Sequence, residues 1–410
     1  MFFKRFAALL ILCSIPCLLA LMGCGGDVDP PYPGQEFTFA GDYVVLGFGF
    51  EESGQYFQQR SLVNVAEGSI EGNDLLKVGH GSMVSGQVSA AYTVEQTGEL
   101  EVFPDKRSQR TLSAAAPLPS FGAKPFVELQ SKLLGGPSLL QGYVHQPEGS
   151  VAYVGDFESL DFQECQIFLE REAEAHSNES FAGRWAIATM YEYDGQYYTL
   201  TGFMDATPDG GVEYFFEYFY NSEDPTNPST FSTTRDPGHW NVQANGYMSY
   251  GDIYDGYICG NREVFFWDSI EAPNSDDPLS PAVGVLMDEG GYHYSNLSGS
   301  YIISGVESNS SSGARSCLGG LIEFDELQGS PYFHLVATRN VRGEEANREV
   351  DQEGFYTLSE EGELRLYKYS GQELLRGYVG CRSEADGLSR RAVAAPLKTP
   401  DTFGMYFIGR

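Results

Sequence analysis

Six histidines are the first residues of this sequence that could do catalytic or metal chemistry: His80, His145, His176, His239, His293 and His334. They are dispersed, and no two of them have the i, i+4 spacing that places two metal ligands on one helix face. Gly79-His80-Gly81-Ser82 puts a base near a nucleophile, but no third group is indicated, and a glycine-rich turn explains the same residues. No G-x-S-x-G, H-E-x-x-H or P-loop motif occurs. We therefore expect no enzyme activity, no cofactor and no metal site.

Two acidic loops contain hard oxygen ligands of the kind that Ca²⁺ prefers, at 221–227 and 274–278. Asn, Asp, Ser and Pro are also the ordinary residues of turns. Neither loop has the glycine and glutamate positions of an EF-hand. We therefore interpret both as turns.

The densest aromatic segment of the chain is 214–220. In a strand, Tyr214, Phe216, Tyr218 and Tyr220 would share one face, and Phe215, Glu217 and Phe219 would share the other. Aromatic residues on both faces favour a strand that is covered on both sides, in a core or between modules. The alternative is a platform for a sugar or lipid, with Trp185 as a further member, because flat rings stack on apolar ligand faces.

The N-terminal segment Leu21-Met22-Gly23-Cys24 follows Lys4, Arg5 and an apolar run over 6–21. Those 16 residues are too short for a comfortable membrane span and are typical of a secretory signal. The Leu-x-Gly-Cys end resembles the bacterial lipobox, which implies cleavage before Cys24 and acylation of that cysteine. The alternative is an ordinary secretory signal with a cysteine near its cleavage site.

The resemblance implies a signal peptide at 1–23, a lipidated N-terminus with a flexible tether at 24–36, and attachment to the membrane through the lipid. The residue after the cysteine is Gly25 rather than Asp. In a Gram-negative organism this would favour the outer membrane, so we expect a lipid-anchored protein of the cell envelope.

Composition excludes one class of partner and favours one fold class. The chain has 25 Lys and Arg against 57 Asp and Glu, a formal net charge of −32, which repels the phosphate backbone of nucleic acids. It also contains 26 Tyr, 27 Phe and 48 Gly, and the aromatic residues suit pleated, half-buried sheets. An all-β protein that does not bind nucleic acid is therefore expected.

Three sequence anchors recur in the same order three times. The first reads apolar, small, Gly, x, aromatic and contains Gly41, Gly183 and Gly299; the second predicts a β-hairpin whose turn contains Gly98, Gly246 and Gly362; the third is Gly-Tyr-aliphatic and starts at Gly142, Gly256 and Gly377. The first and second glycines are 57, 63 and 63 residues apart. The repeats predict β modules at 37–172, 180–290 and 296–410, the first with an insertion at about 104–137.

Each module contains seven or eight candidate strands and almost no helical periodicity. Closing one antiparallel sheet removes exposed edges, so we predict an up-and-down β-barrel for each module, with a two-sheet β-sandwich as the alternative. Gly183-Arg184-Trp185 resembles the Gly-x-Trp signature of the calycin superfamily, the lipocalin-like barrels. Gly41-x-Tyr43 and Gly299-x-Tyr301 are similar but lack the tryptophan. The resemblance implies barrels and, at most, a ligand-binding interior.

Four cysteines remain after the signal and Cys24 are set aside: Cys165, Cys259, Cys317 and Cys381. In an exported chain without CxxC spacing, disulfides are favoured over a metal site. We predict a bond between Cys317 and Cys381, which lie in the same module. Cys165 and Cys259 would then either join the first two modules or stay as separate buried thiols.

The function expected from these features is binding, or a structural role at the cell surface, without catalysis. The partner would be a small molecule, a glycan or a protein. The alternative is a secreted hydrolase of envelope polysaccharide that uses acidic residues the sequence does not pair. An enzyme should gather perturbed acids in one cleft, whereas a binding protein should show an apolar or aromatic site without them.

Overall fold

The computed structural model describes the following parts of the chain: residues 40–51, 56–78, 84–94, 99–104, 140–144, 151–154, 162–171, 175–193, 196–221, 229–232, 236–251, 253–259, 262–268, 281–287, 291–309, 312–327, 329–341, 348–382, 390–399 and 402–409. The expected signal peptide, Cys24, the tether and nearly all of the 104–137 insertion lie outside these residues. The structure therefore does not test the predictions made for them.

The first sheet is a closed barrel of eight antiparallel strands in sequential order. Its strands are β1 (Gly41–Glu51), β2 (Tyr56–Ala66), β3 (Ser69–Val78), β4 (Val84–Val94), β5 (Glu99–Pro104), β6 (Leu140–Val144), β7 (Val151–Val154) and β8 (Phe162–Glu170). We call this sheet barrel 1. The strand β1 pairs with both β2 and β8, which closes the ring.

The second sheet has nine strands and is preceded by a short helix, α1 (Asn178–Phe181). Its strands are β9 (Gly183–Tyr193), β10 (Gln196–Ala206), β11 (Gly211–Asn221), β12 (Ser229–Ser232), β13 (Asp236–Val242), β14 (Tyr247–Tyr250), β15 (Tyr254–Cys259), β16 (Val264–Asp268) and β17 (Ala282–Leu286). The strand β9 pairs with β10 and β17, and β10 also pairs with β11, so the pairings return to their start. We call this sheet barrel 2; β12 and β13 share one side of β11 in it.

The third sheet is again a closed barrel of eight sequential antiparallel strands, which we call barrel 3. A 3₁₀ helix (Tyr294–Leu297) precedes it. Its strands are β18 (Gly299–Asn309), β19 (Arg315–Leu327), β20 (Ser330–Val341), β21 (Arg348–Leu358), β22 (Glu363–Lys368), β23 (Glu373–Arg382), β24 (Arg390–Thr399) and β25 (Thr402–Gly409). The prediction of an all-β fold with antiparallel sheets is confirmed. The strands follow one another in order in barrels 1 and 3, whereas in barrel 2 β13 pairs with β11 and not with β12.

The sequence anchors occupy equivalent places in the three sheets. Gly41, Gly183 and Gly299 each begin a first strand, and all three have positive φ. The third-anchor glycines Gly142, Gly256 and Gly377 pair with Leu100, Met248 and Leu364, each of which lies two residues after a second-anchor glycine. In all three sheets the third anchor thus pairs in the same register with the strand that follows the second anchor, as a repeated fold requires.

Barrels 2 and 3 also repeat the hydrogen bonds around the second anchor. Gly246 and Gly362 sit in hairpin turns at φ +82° and +89°, where only glycine avoids backbone strain. The N–H of Ile258 donates to the carbonyl of Gly246, and that of Val379 donates to the carbonyl of Gly362, both at 2.9 Å. Each turn glycine also contacts a residue from the segment before its barrel. His176 lies against Gly246 in barrel 2, and Tyr292 lies against Gly362 in barrel 3.

One apolar cluster lies between the three barrels, and we call it the shared cluster. In β1 the side chains alternate: Tyr43 and Val45 face the interior of barrel 1, whereas Val44, Leu46 and Phe48 join the shared cluster. Barrel 2 contributes mainly from β9, β16 and β17, and barrel 3 from β18, β19 and β25. Every barrel thus turns its first and last strands towards the other two.

Candidate functional site

The interior of barrel 2 is filled by aromatic side chains. All three tryptophans of the chain, Trp185, Trp240 and Trp267, are buried there together with Phe181 and Phe265. The Trp185 ring lies 5.0 Å from Phe265 between centroids, and its indole N–H donates to the Phe181 carbonyl at 2.9 Å. Phe181, at the end of α1, closes this end of the barrel. Trp185 is therefore a core residue that packs against α1, and a ligand at the surface cannot reach it.

The aromatic run 214–220 lies on β11, and its backbone register differs from the simple alternation that was predicted. Phe216 pairs with Gly202, and Tyr218 pairs with Thr201, so Glu217 is an extra residue at a β-bulge. Tyr214 and Phe216 consequently occupy register positions of one parity, and Tyr218 and Tyr220 those of the other. The bulge thus interrupts the period-2 alternation on which the prediction of a shared face was based. Their side chains lie outside the described part of the chain.

The interior of barrel 3 is packed at one end and polar at the other. Leu297, Tyr301, Phe324 and Tyr356 fill the end covered by the 3₁₀ helix. Gly354 shows how tight this packing is, because a Cβ there would lie 2.7 Å from the Phe333 ring. Interdigitation of this kind matches an eight-stranded barrel that is just wide enough for its own side chains.

The polar end of barrel 3 is organised around Glu307. Its carboxylate accepts hydrogen bonds from the Tyr406 hydroxyl and the Ser316 hydroxyl, both at 2.8 Å, and lies 3.0 Å from the Arg339 Nε. Burial raises the pKa of Tyr406 well above its usual value, and the negative charge of Glu307 adds to the rise. Because its donors and its counter-ion are supplied from within the barrel, we interpret this cluster as structural.

A buried ionic cluster joins barrels 1 and 2. The Arg60 Nη1 of β2 lies 2.8 Å from the Asp255 Oδ2 and 3.5 Å from the Asp268 Oδ2, and all three side chains are at most 8 % exposed. The Tyr247 hydroxyl lies 3.3 Å from the Asp255 Oδ2. An arginine from one barrel thus offsets two carboxylates of the next.

The predicted disulfide between Cys317 and Cys381 is not seen among the side chains that the structure describes; the Cys381 side chain is outside them. Cys317 lies on β19 and Cys381 on β23, four strands apart in a ring of eight. Bonded cysteines need Cα atoms within about 7 Å, so the strand order argues against this bond. Cys165 of barrel 1 makes a short contact with the Ser304 hydroxyl of barrel 3. The side chain of Cys259 lies outside the described residues.

A row of aromatic residues lies on the outer wall of barrel 3. Tyr332 of β20, Phe355 of β21 and Tyr367 of β22 pair in one register row, and Tyr369 follows in the next turn. We call these four residues the aromatic strip. The Phe355 and Tyr367 rings are stacked at 5.0 Å with an interplanar angle of 13°. Phe355 is 37 % exposed and Tyr369 is 61 % exposed.

Carboxylates border the aromatic strip. The neighbouring register row is Glu323, His334 and Glu353, and the His334 Nε2 lies 2.8 Å from the Asp351 Oδ1. The pKa of Tyr332 is raised above its usual range, first by desolvation and then by its hydrogen bond to Glu353 and that carboxylate's charge. The strip is therefore an apolar surface with hydroxyl groups and hydrogen-bond acceptors along one side.

Within the described ranges, no three His, Cys, Asp or Glu residues are grouped so that they could hold a metal ion. In the same part of the chain, no helix has the length and apolar character needed to cross a membrane.

No protein-family model matches this chain, and no curated protein matches it. Among solved structures, a Bacteroides fragilis protein described provisionally as an outer membrane protein is 10 % identical, with 57 % of this chain and 99 % of that chain covered and a TM-score of 0.16. A Nitrosomonas europaea protein described provisionally as AttH is 12 % identical, with 92 % and 98 % covered and a TM-score of 0.18. At these scores neither match carries an argument on fold or function.

The aromatic strip was missed at the level of sequence. Tyr332, Phe355 and Tyr367 are each separated by more than ten residues in the sequence, so no local aromatic run marks them. A signal did exist: Phe355 and Tyr367 lie seven residues before and five residues after the hairpin glycine Gly362. Combining the predicted hairpin with its period-2 alternation would have paired the two rings.

Proposed function

We propose that this chain is a lipid-anchored protein of the bacterial cell envelope that binds its ligand on the outside of its barrels and catalyses no reaction. The observation that carries the proposal is the packing of barrels 2 and 3. Their described interiors are occupied by their own side chains, such as Trp185 and Phe324, whereas aromatic rings with a polar border lie at the surface. A lipocalin-like inner pocket is therefore unsupported in these two barrels.

The second candidate function is hydrolysis of envelope polysaccharide. Its support is the placement of Glu323 and Glu353 on strands that flank His334, beside the aromatic strip. Paired carboxylates are the usual machinery of glycoside hydrolysis. Release of reducing ends from polysaccharide by the purified protein, abolished by Glu353→Gln, would replace the non-catalytic proposal with this one.

Tryptophan emission tests where a ligand binds, because all three tryptophans line the interior of barrel 2. Titration of the folded protein with a long-chain fatty acid should leave the emission spectrum unchanged. Unfolding in urea supplies the full amplitude as a reference. A saturable shift of the emission on addition of fatty acid, with the protein still folded, would show an inner site and contradict the proposal.

Anchoring is tested at Cys24. Because the acyl chains would be attached to this thiol, Cys24→Ser should release the protein from the membrane fraction or leave an unprocessed precursor. Ser14→Ala, within the expected signal, is the control that should fractionate like the parent. If Cys24→Ser matures and fractionates like the parent, the chain is not a lipoprotein.

A further inference from the structure

We infer that the aromatic strip of barrel 3 binds a neutral, hydroxyl-rich glycan chain. This inference rests on the proposed function and names the class of its ligand. The starting observation is geometric: Tyr332, Phe355 and Tyr367 lie side by side on three neighbouring strands. Since strands are about 4.8 Å apart, the row extends over about 10 Å, which suits a ligand of two or more sugar units.

The rings of the aromatic strip are supported by one another and by the sheet beneath them. Phe355 and Tyr367 stack on each other, and they stand on a sheet whose opposite face is the packed interior around Leu364 and Tyr356. A preformed surface loses little conformational entropy on binding, which favours capture of a flexible chain. Tyr369 adds a ring and a hydroxyl in the adjoining turn.

Charge selects among the ligands that aromatic rings can accept. Glu323, Glu353 and Asp351 border one side of the strip, and the whole chain carries a net charge of −32. Arg365, in the register row on the other side, is ion-paired with Glu363 at 2.8 Å. Anionic polymers and anionic lipid head groups are repelled by such a surface. Carboxylates and tyrosine hydroxyls accept hydrogen bonds from sugar hydroxyls, while the apolar C–H faces of a sugar pack on the ring surfaces that the mutual stacking of Phe355 and Tyr367 leaves open.

The size of the strip argues against a hydrocarbon chain or a protein as its occupant. Four rings bordered by ionised groups do not form a continuous apolar surface, which a stable protein interface of about 1,000 Å² would require. The core of such an interface is also depleted in charged residues. An amphipathic chain of sugars matches both the narrow apolar strip and its polar border.

The test is calorimetric titration of the detergent-solubilised full chain with soluble neutral oligosaccharides of β-glucan, xylan and mannan. Polygalacturonate serves as the anionic comparison, and anionic lipid vesicles as the membrane comparison. We expect at least one neutral oligosaccharide to bind, and Phe355→Ala and Tyr367→Ala each to weaken it by roughly tenfold. Ile253→Ala removes a similarly exposed apolar side chain from barrel 2 and should leave the affinity unchanged.

The outcomes separate this inference from the proposed function. If none of the neutral oligosaccharides binds, or if Phe355→Ala and Tyr367→Ala bind like the parent while remaining folded by circular dichroism, the inference is wrong. Binding of polygalacturonate or of vesicles through the same two rings would also overturn it. None of these results changes the tryptophan or fractionation readouts, which test the proposed function separately.

Discussion

At the scale of single residues, Glu307 shows how a barrel interior can hold a charge. The carboxylate is 8 % exposed and is surrounded by Tyr406, Ser316 and Arg339, which supply hydrogen bonds and a positive charge. A buried carboxylate is tolerated only when it is paired in this way. None of the three partners is adjacent to Glu307 in sequence, so the cluster could not be found before the strand register was known.

Tyr406→Phe should destabilise the protein, because it removes one hydrogen-bond donor from Glu307 while keeping the ring. The expected loss is about 1–3 kcal/mol in the free energy of unfolding, measured by urea denaturation at neutral pH. Tyr369→Phe, at an exposed turn, is the control and should have no effect. Equal free energies of unfolding for the parent and Tyr406→Phe would mean that the hydrogen bond from Tyr406 to Glu307 does not stabilise the folded state.

The same tyrosine has a consequence at alkaline pH. Its pKa is raised in the folded protein, so the unfolded state ionises first, and the stability that Tyr406 contributes is present below about pH 10 and lost as the pH rises above it. The stability of the Tyr406→Phe variant should therefore fall less steeply above pH 10 than that of the parent.

At the scale of elements, the sequence predicted the strands and the order of the hairpins well, because glycine turns and alternating aromatic residues are local signals. Gly246 and Gly362 are in the turns where the repeat placed them. The bulge at Glu217 was not predictable, since it depends on the register between β10 and β11. The four residues expected to share one face, Tyr214, Phe216, Tyr218 and Tyr220, consequently occupy register positions of both parities.

Gly362→Ala should be more destabilising than Gly371→Ala, and the pair separates two effects. Both glycines have positive φ, +89° and +82°, so both alanines carry backbone strain of about 1–2 kcal/mol. A Cβ at Gly362 would also lie 2.9 Å from the Tyr292 ring, whereas Gly371 has nothing within 4 Å. We expect about 1–3 kcal/mol of additional loss at Gly362 in urea denaturation. Equal losses would show that Tyr292 moves aside freely.

At the scale of the whole molecule, the sequence indicated that some strands are covered on both faces, but not which part of the chain covers them. Consecutive buried residues such as Val44, Val45 and Leu46 show that both faces of β1 are covered. The covering surface is the shared cluster, which is formed by residues from all three barrels, from Val44 in barrel 1 to Phe407 in barrel 3. Such contacts leave no periodic signal that identifies which surface meets which.

Arg60→Ala should strongly destabilise the contact between barrels 1 and 2. Removing the guanidinium takes the Arg60 charge away from two buried carboxylates, Asp255 and Asp268, and breaking a buried ion pair in this way costs about 3–5 kcal/mol. Arg184→Ala is the matched control, because its ion pair with Asp205 is largely exposed and is worth at most about 1 kcal/mol. Calorimetry should show a lowered first unfolding transition for Arg60→Ala only; similar transitions for the two variants would contradict a structural role for the buried cluster.

The first and last strands of each barrel face the shared cluster. The residues on the opposite wall of each barrel are therefore free to differ between the three copies. The register pair that holds Phe355 and Tyr367 in barrel 3 is Ala91 and Phe103 in barrel 1, and the residues at the same offsets from the hairpin glycine of barrel 2 are His239 and Gly251. The shared cluster constrains the first and last strands in all three copies, while these equivalent positions carry different residue types. Substitutions on the outer wall of one barrel can therefore change what that wall binds without altering the packing of the three barrels against one another.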